Sequence, residues 1–399
     1  MSQRNILRDH QAPLLAGLVA SATGTAASLG VALAALTAVG ASKQQTALAI
    51  TVMIALYGLL SIVLSAKYRM PISIVWSTPG AALLAATAAL HLSFNNAVGA
   101  FLVTGALLAI TGLWPALGRL VGSIPKQIAS AMLAGVIFSF CVAPFQGAIQ
   151  YPMIVLPAVL VWLVLYRFAP LWAAPVAIVL VFTLIGLVLQ PSLADVTLFP
   201  QVAMVVPSFD PAVILSVAIP LYLVTMASQN VPGIAIMGTF GYSVPFKSVL
   251  LSTGLVTVFG SFFGGYALNL AAITAALNAN EHAHKDPARR WLSSVYGGIA
   301  YLVLAVLAAP AVAFVLETPR VLILAASGIA LFGTIASALQ TATEDQTLRL
   351  PAIITFLVGA SGIAAFGIGA AFWALVSGVL VWLWTKPRNR PRTQPRTKP

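Results

Sequence analysis

The sequence predicts an all-α polytopic membrane protein with fourteen transmembrane segments in two inverted repeats of seven. The third and tenth segments are each expected to pair a short strand with a half-helix. Three observations predict this. Of the 399 residues, 60% are hydrophobic and 7% charged, with a mean hydropathy of +1.00; soluble domains carry about 25% charged residues. When the apolar runs are laid out as alternating spans, the basic residues gather on one side. Two weak, Gly/Pro-interrupted segments stand at matching places in the two halves, the sequence mark of discontinuous helices in an inverted-repeat fold.

The apolar runs fall at 14–39, 46–65, 71–90, 94–114, 127–143, 152–166, 171–189, 211–229, 248–263, 266–280, 291–309, 319–340, 351–366 and 369–385. In the first, Gly17, Ser21, Gly24 and Ser28 share a helix face that a neighbour can approach closely. Packing is the plain role for that stripe, with Thr23 and Thr25 as residues that face a site instead. The third opens on β-prone PISIVW at Pro71 and continues STPGAALLAATAAL, with Ser77 and Thr78 as N-cap candidates and Pro79 in the first turn. Ala131 and Gly135 in the fifth span and Ser327 and Gly328 in the twelfth are expected at a sliding contact between two moving parts. Gln190–Asp210, with three prolines, joins the halves.

The eighth run ends in Ser228-Gln229-Asn230, followed by Val231-Pro232-Gly233. Three successive polar residues at membrane depth need partners, so they mark a span end at the interface or line a cavity. In the tenth, Gly264 and Gly265 break the preceding helix, Tyr266–Leu270 can run extended, and Ala271–Leu277 reads as helical. Asn269 stands at the junction, as a cap, a ligand contact or both.

With the N-terminus inside, eighteen of the twenty basic residues fall on the cytoplasmic side; Lys43 and Arg320 alone fall outside. Dropping one broken segment would reverse everything downstream and spoil that bias. Both termini are thus expected in the cytoplasm. Six basic residues sit in Lys386–Lys398, which reads as an anchor near anionic lipid rather than a nucleic-acid patch. The start carries no cleavable signal pattern. The single cysteine, Cys141, excludes an internal disulfide.

The acids are Asp9, Asp195, Asp210, Glu281, Asp286, Glu317, Glu344 and Asp345, all at segment ends or in loops, as are His10, His91, His282 and His284. This argues against a dicarboxylate metal site and an intramembrane aspartyl protease. No phosphate-binding glycine loop supports ATP drive. No metal and no cofactor is expected. What remains inside is amide and hydroxyl chemistry together with half-helix N-termini, which carry orphan N–H groups and about half a positive charge. Two such termini facing each other form an anion site without lysine or arginine. Trp76 and Tyr266 nearby would suit an anion with an apolar body.

PISIVWSTPGAALL at Pro71, SQNVPGIA at Ser228, GGYALNLAAITAAL at Gly264 and HKDPARRW at His284 resemble the benzoate:proton symporter (BenE) family over essentially the whole chain. That family is similar in architecture to the uracil permease and sulfate permease families. The resemblance implies a core domain at 1–118 and 191–310, a gate domain at 119–190 and 311–386, and a basic cytoplasmic tail at 387–399. It implies substrate contacts at Ser77, Thr78, Asn269, Leu270, Ala271 and Thr274, which match the family motifs directly, with Tyr266, Gln229 and Asn230 as further candidate contacts. Gln229 and Asn230 lie near where the nucleobase relatives place a carboxylate, and Leu268 falls where they have another acid; both departures count against a nucleobase. The expected function is proton-coupled import of benzoate or a similar aromatic carboxylate across a bacterial inner membrane, by alternating access. The alternatives are a same-fold permease for a nucleobase or inorganic anion, and a membrane-embedded enzyme. The proton is expected to ride at or near the cargo's own carboxylate; the rival carrier is a rim residue, with Glu281 and His91 the candidates because they follow the two half-helices. The partners expected are that carboxylate, the proton, the lipid bilayer and a second copy in a homodimer, with no nucleic acid.

Overall fold

Inside a bilayer, backbone N–H and C=O groups have no water to bond, so the chain satisfies them internally, mostly as helices. The computed structural model describes residues 3–114, 116, 124–190, 200–271, 273–363, 365–366 and 368–385. The basic tail, Arg119 and residues 191–199 of the expected joint lie outside them. In order, the elements are α1 (Gln3–Ala38), α2 (Lys43–Tyr68), β1 (Ile74–Trp76), α3 (Thr78–Ala85), α4 (Phe94–Leu113), α5 (Lys126–Gln150), α6 (Pro152–Phe168) and α7 (Pro170–Val188). They continue with α8 (Pro211–Thr239), α9 (Phe246–Ser261), β2 (Leu268–Leu270), α10 (Ile273–Ala279), α11 (Trp291–Val306), α12 (Ala308–Leu316), α13 (Arg320–Thr343), α14 (Arg349–Ala360) and α15 (Ala370–Thr385). Among the described residues, six helices are long and apolar enough to cross a membrane. The count is seven if α11 and α12, bent by 57° at Leu307, are taken together as one span.

Both broken segments take the strand-then-helix form expected of them. β1 and β2 pair antiparallel, Ile74 against Leu270, Val75 against Asn269 and Trp76 against Leu268. Two more bonds extend the ladder: Ser77 N–H donates to the Ala267 carbonyl at 2.9 Å and Ala271 N–H to Ser73 at 2.8 Å. Because the strands run in opposite directions, α3 and α10 leave the ladder at opposite ends. Gly264 lets the chain turn into β2: its φ is +85°, and a side chain there would meet the Phe94 ring.

The eighth segment departs from expectation. Ser228-Gln229-Asn230 do not end it; the helix runs on to Thr239. It passes through two π-turns, Ile214–Ala218 and Met226–Asn230, each with a proline two residues beyond, Pro220 and Pro232. Proline has no N–H to donate and clashes with the carbonyl four residues back. A wider turn at that point accommodates it without ending the helix.

Helices meet where glycine removes the side chain. α4 packs on α9 and α2 on α11. At the first contact, a Cβ on Gly254 would run into the backbone of Ala109 and Gly105. At the second, a Cβ on Gly58 would lie 2.9 Å from the Gly298 carbonyl and one on Gly298 2.6 Å from that of Gly58. α5, α13 and α14 pack on one another, with α6 and α7 beside them. Within that group Gly135 faces Phe356 and Gly359 of α14, Gly328 faces Phe140 and Pro144 of α5, and Ala131 packs with Ala342 and Ala352. These three therefore do not stand at the sliding contact expected of them. Ser327 faces Gly30 of α1, outside that group.

Overfilling a backbone-to-backbone contact costs about 1–3 kcal/mol. Gly254→Ala should lower the thermal midpoint of the detergent-solubilised protein. Gly238→Ala, at a site with no atom within 4 Å, should not.

Candidate functional site

A strand inside a membrane is viable only if its outer edge finds donors and acceptors. Here side chains supply them. On the β1 edge, Ser61 of α2 accepts from Ile74 N–H at 2.8 Å and donates to the Ile74 carbonyl at 3.2 Å, and Ser65 donates to the Ile72 carbonyl at 2.8 Å. On the β2 edge, Thr257 of α9 accepts from Leu268 N–H and Asn230 Oδ1 of α8 accepts from Leu270 N–H, both at 3.0 Å. The ribbon is thereby fixed at the centre of the molecule, with both half-helices starting from it.

Beside the ribbon lies a cavity of about 770 Å³. Its inner end is walled by Val75 and Trp76 of β1, by Thr78 and Pro79 at the start of α3, and by Ala271 and Thr274 at the start of α10. Gly24 and Ser28 of α1, Tyr57 of α2 and Tyr301 of α11 close it. Ser228 and Gln229 of α8 form a flank, and α5, α6 and α13 the opposite wall. Lys126, Tyr166 and Ser337 there are exposed and form the mouth. Lys126 is the one charged side chain among the described lining residues, and Glu344 pairs with it at 2.5 Å.

The inner end is aromatic, and the polar groups of Trp76, Ser28 and Ser77 there are already bonded. Tyr57 stands edge-on to Trp76, with ring centroids 5.5 Å apart. Trp76 donates its indole N–H to Ser28 Oγ at 2.9 Å, and Ser28 donates to the Gly24 carbonyl at 2.7 Å. At the start of α3, Ser77 N–H is spent on Ala267, Pro79 has none, and Gly80 donates to Ser77 Oγ at 3.1 Å. Thr78 is left as the remaining backbone donor of that turn.

The sequence-derived site residues separate into two layers. Thr78, Gln229, Ala271 and Thr274 border the cavity. Ser77, Asn230, Tyr266, Asn269 and Leu270 are buried behind it. Ser77 caps α3 and also accepts from Thr225 at 2.9 Å. Asn230 braces β2. Asn269 donates to the Leu270 carbonyl at 3.0 Å within its own strand and does not cap α10 through that bond; its Oδ1 has no partner. Tyr266 packs edge-on to Phe101, with its hydroxyl unpartnered. Glu281 and His91 are exposed and do not border the cavity. Thr23, Gly24, Ser28, Tyr57 and Tyr301 border it without having been singled out as contacts, apart from Thr23 as an alternative. The small-residue stripe of α1 was the available signal for two of them.

The acids have structural duties elsewhere. Asp210, Asp286 and Asp345 each accept from the backbone N–H two residues on, opening a helical turn. Two bonds from Thr347 hold the Asp345 carboxyl below its usual range. Glu317 pairs with Lys43 at 2.6 Å.

A family model described as benzoate membrane transport protein, BenE, matches residues 8–383. The chain belongs to the BenE family. This BenE chain is 38% identical over 371 residues to the inner membrane protein YdcO of Escherichia coli, covering 92% of this chain and 93% of that one. It is 32% identical over 328 residues to the benzoate membrane transport protein of Acinetobacter baylyi, covering 80% and 82%. In fold it is similar to the transmembrane domain of the cyanobacterial bicarbonate transporter BicA, with a TM-score of 0.56 at 17% identity over 93% of this chain and 98% of that one. It is also similar to the murine anion transporter Slc26a9 in its inward-facing state, with a TM-score of 0.56 at 14% identity over 94% and 69%. The ribbon and half-helices of this BenE chain thus sit within a transporter-type membrane fold.

Asn230→Ala would leave the Leu270 N–H buried and unpaired, which costs about 1–3 kcal/mol. Its thermal midpoint without ligand should fall clearly below wild type. Gln229→Ala, at the cavity surface, should stay within about 0.5 kcal/mol of wild type. Equal midpoints for the two variants would show that Asn230 is no strut.

Proposed function

We propose that this chain is a secondary importer of benzoate or a similar aromatic carboxylate in a bacterial inner membrane, coupled to protons and working by alternating access. The observation that carries this is the inner end of the cavity: aromatic walls and hydroxyl donors at the starts of α3 and α10, with the one charged lining residue away at the mouth. An anion with an apolar ring meets the partial positive charge of the half-helix starts and the faces of Trp76 and Tyr57. Family membership and the Acinetobacter relative's name support this cargo. A nucleobase is disfavoured by uncharged Gln229 and Leu268, which stand where the nucleobase relatives carry acids.

On this proposal the chain forms two inverted repeats. Exchange of the halves relates the α4–α9 contact to the α11–α2 contact, and Thr257 on the β2 edge to Ser61 on the β1 edge. The core is 1–118 with 191–310, and the gate 119–190 with 311–386. The positive-inside bias puts both termini and Lys126 in the cytoplasm, so the cavity described here opens inward.

Importing a monoanion against an inside-negative potential costs about 2.3 kcal/mol per 100 mV, and one accompanying proton removes that cost. The described acids lie outside the cavity, so the titrating group in this scheme is the substrate's own carboxylate.

The test is uptake of labelled benzoate by proteoliposomes with the outside acidified. Accumulation should appear, and a protonophore should abolish it; uptake no faster than in empty liposomes would end the proposal. Glu281→Gln and His91→Ala should each keep both accumulation and benzoate exchange. A variant that keeps exchange but loses accumulation would put the proton on the protein.

A further inference from the structure

Two hydroxyls at the inner end of the cavity are buried and have no protein partner. Tyr301 of α11 is 3% exposed and Thr274 of α10 is 5% exposed; neither hydroxyl oxygen makes a hydrogen bond. Both residues border the cavity. The two side chains meet at Gly24: a Cβ built there would lie 3.1 Å from the Thr274 methyl carbon Cγ2 and 3.3 Å from Tyr301 Oη. Glycine at position 24 lets both side chains come this close to α1. An unsatisfied buried polar atom is costly in a folded protein; of the eight such side-chain atoms among the described residues, only these two belong to residues that border the cavity, where a partner can arrive.

The neighbouring groups fix what that partner is. Tyr57 stands edge-on to Tyr301 at 4.6 Å and 89°, and edge-on to Trp76 at 5.5 Å and 90°. This locks the Tyr301 ring, so its hydroxyl keeps one position. Trp76 has given its N–H to Ser28 and offers only its ring. Two open donors beside aromatic faces match the two oxygens of a single carboxylate attached to a ring.

We propose that Tyr301, on a helix to which sequence reasoning gives no part in the site, is a substrate-contact and specificity residue. Its hydroxyl and that of Thr274 each donate to one oxygen of the carboxylate at the inner end of the cavity. This deepens the transport reading above and rests on it. A methyl group at position 24 would press on the Thr274 methyl and the Tyr301 hydroxyl and so shift both donors.

The test is equilibrium binding of radiolabelled benzoate to the purified full-length protein in detergent, beside the thermal midpoint without ligand. Losing a hydrogen bond to a charged group costs about ten- to a hundredfold in affinity. Tyr301→Phe should lose that much for benzoate but only about two- to tenfold for uncharged benzamide, where the bond is neutral to neutral. Its midpoint without ligand should equal or exceed wild type, because an orphan polar atom has been removed; a purely structural role would lower it. Thr274→Val and Gly24→Ala should weaken benzoate binding similarly, giving the same test if Tyr301→Phe does not fold. Wild type that fails to bind benzoate overturns the transport reading and this assignment with it. Wild type that binds, with Tyr301→Phe or both other variants binding equally well, overturns this assignment alone.

Discussion

A strand edge cannot lie bare in a hydrocarbon medium, and much of the architecture answers that constraint. The β1–β2 ribbon is two strands wide, so each strand has an outer edge. Ser61 and Ser65 on α2 cover one; Thr257 on α9 and Asn230 on α8 cover the other. Each strut requires its helix to come close. The glycine contacts Gly58–Gly298 and Gly105–Gly254 hold α2 and α9 against α11 and α4. Remove the ribbon and neither half-helix has a fixed starting point.

Much of this was legible in the sequence because Gly and Pro act locally. Gly264-Gly265 and Pro79 declare the breaks in the tenth and third segments within a few residues of where they occur. Ser77 is the N-cap its position suggests. Other features were hidden because their causes are distant. Asn230 binds a strand forty residues further on, so its sequence surroundings speak only of polarity at depth and not of a strut. The continuation of α8 past Pro232 depends on a π-turn, which has no compositional signature. Tyr57 and Tyr301 sit in ordinary apolar spans, and only the packing of α2 on α11 brings them together.

The candidate site follows the same division. Residue types that can meet an anion were found at Thr78, Gln229, Ala271 and Thr274, because a break in a span points to them. Ser77 and Asn230 are equally polar and equally close in sequence, yet their hydrogen-bonding capacity is used up in the scaffold. Position beside the cavity separates the two groups, and at Ser77 and Asn230 the polar atoms are already bonded within the scaffold.

The neutrality of the cavity has an electrical consequence. On the proposed cycle, the site that changes sides is lined by hydroxyls, amides and rings, and Lys126 stays with the gate, paired to Glu344. The site itself therefore carries no fully charged side chain across when the empty carrier swings back. At the site, the full charges that cross are those the cargo brings. The stoichiometry of anion and proton alone decides whether a full turnover passes current.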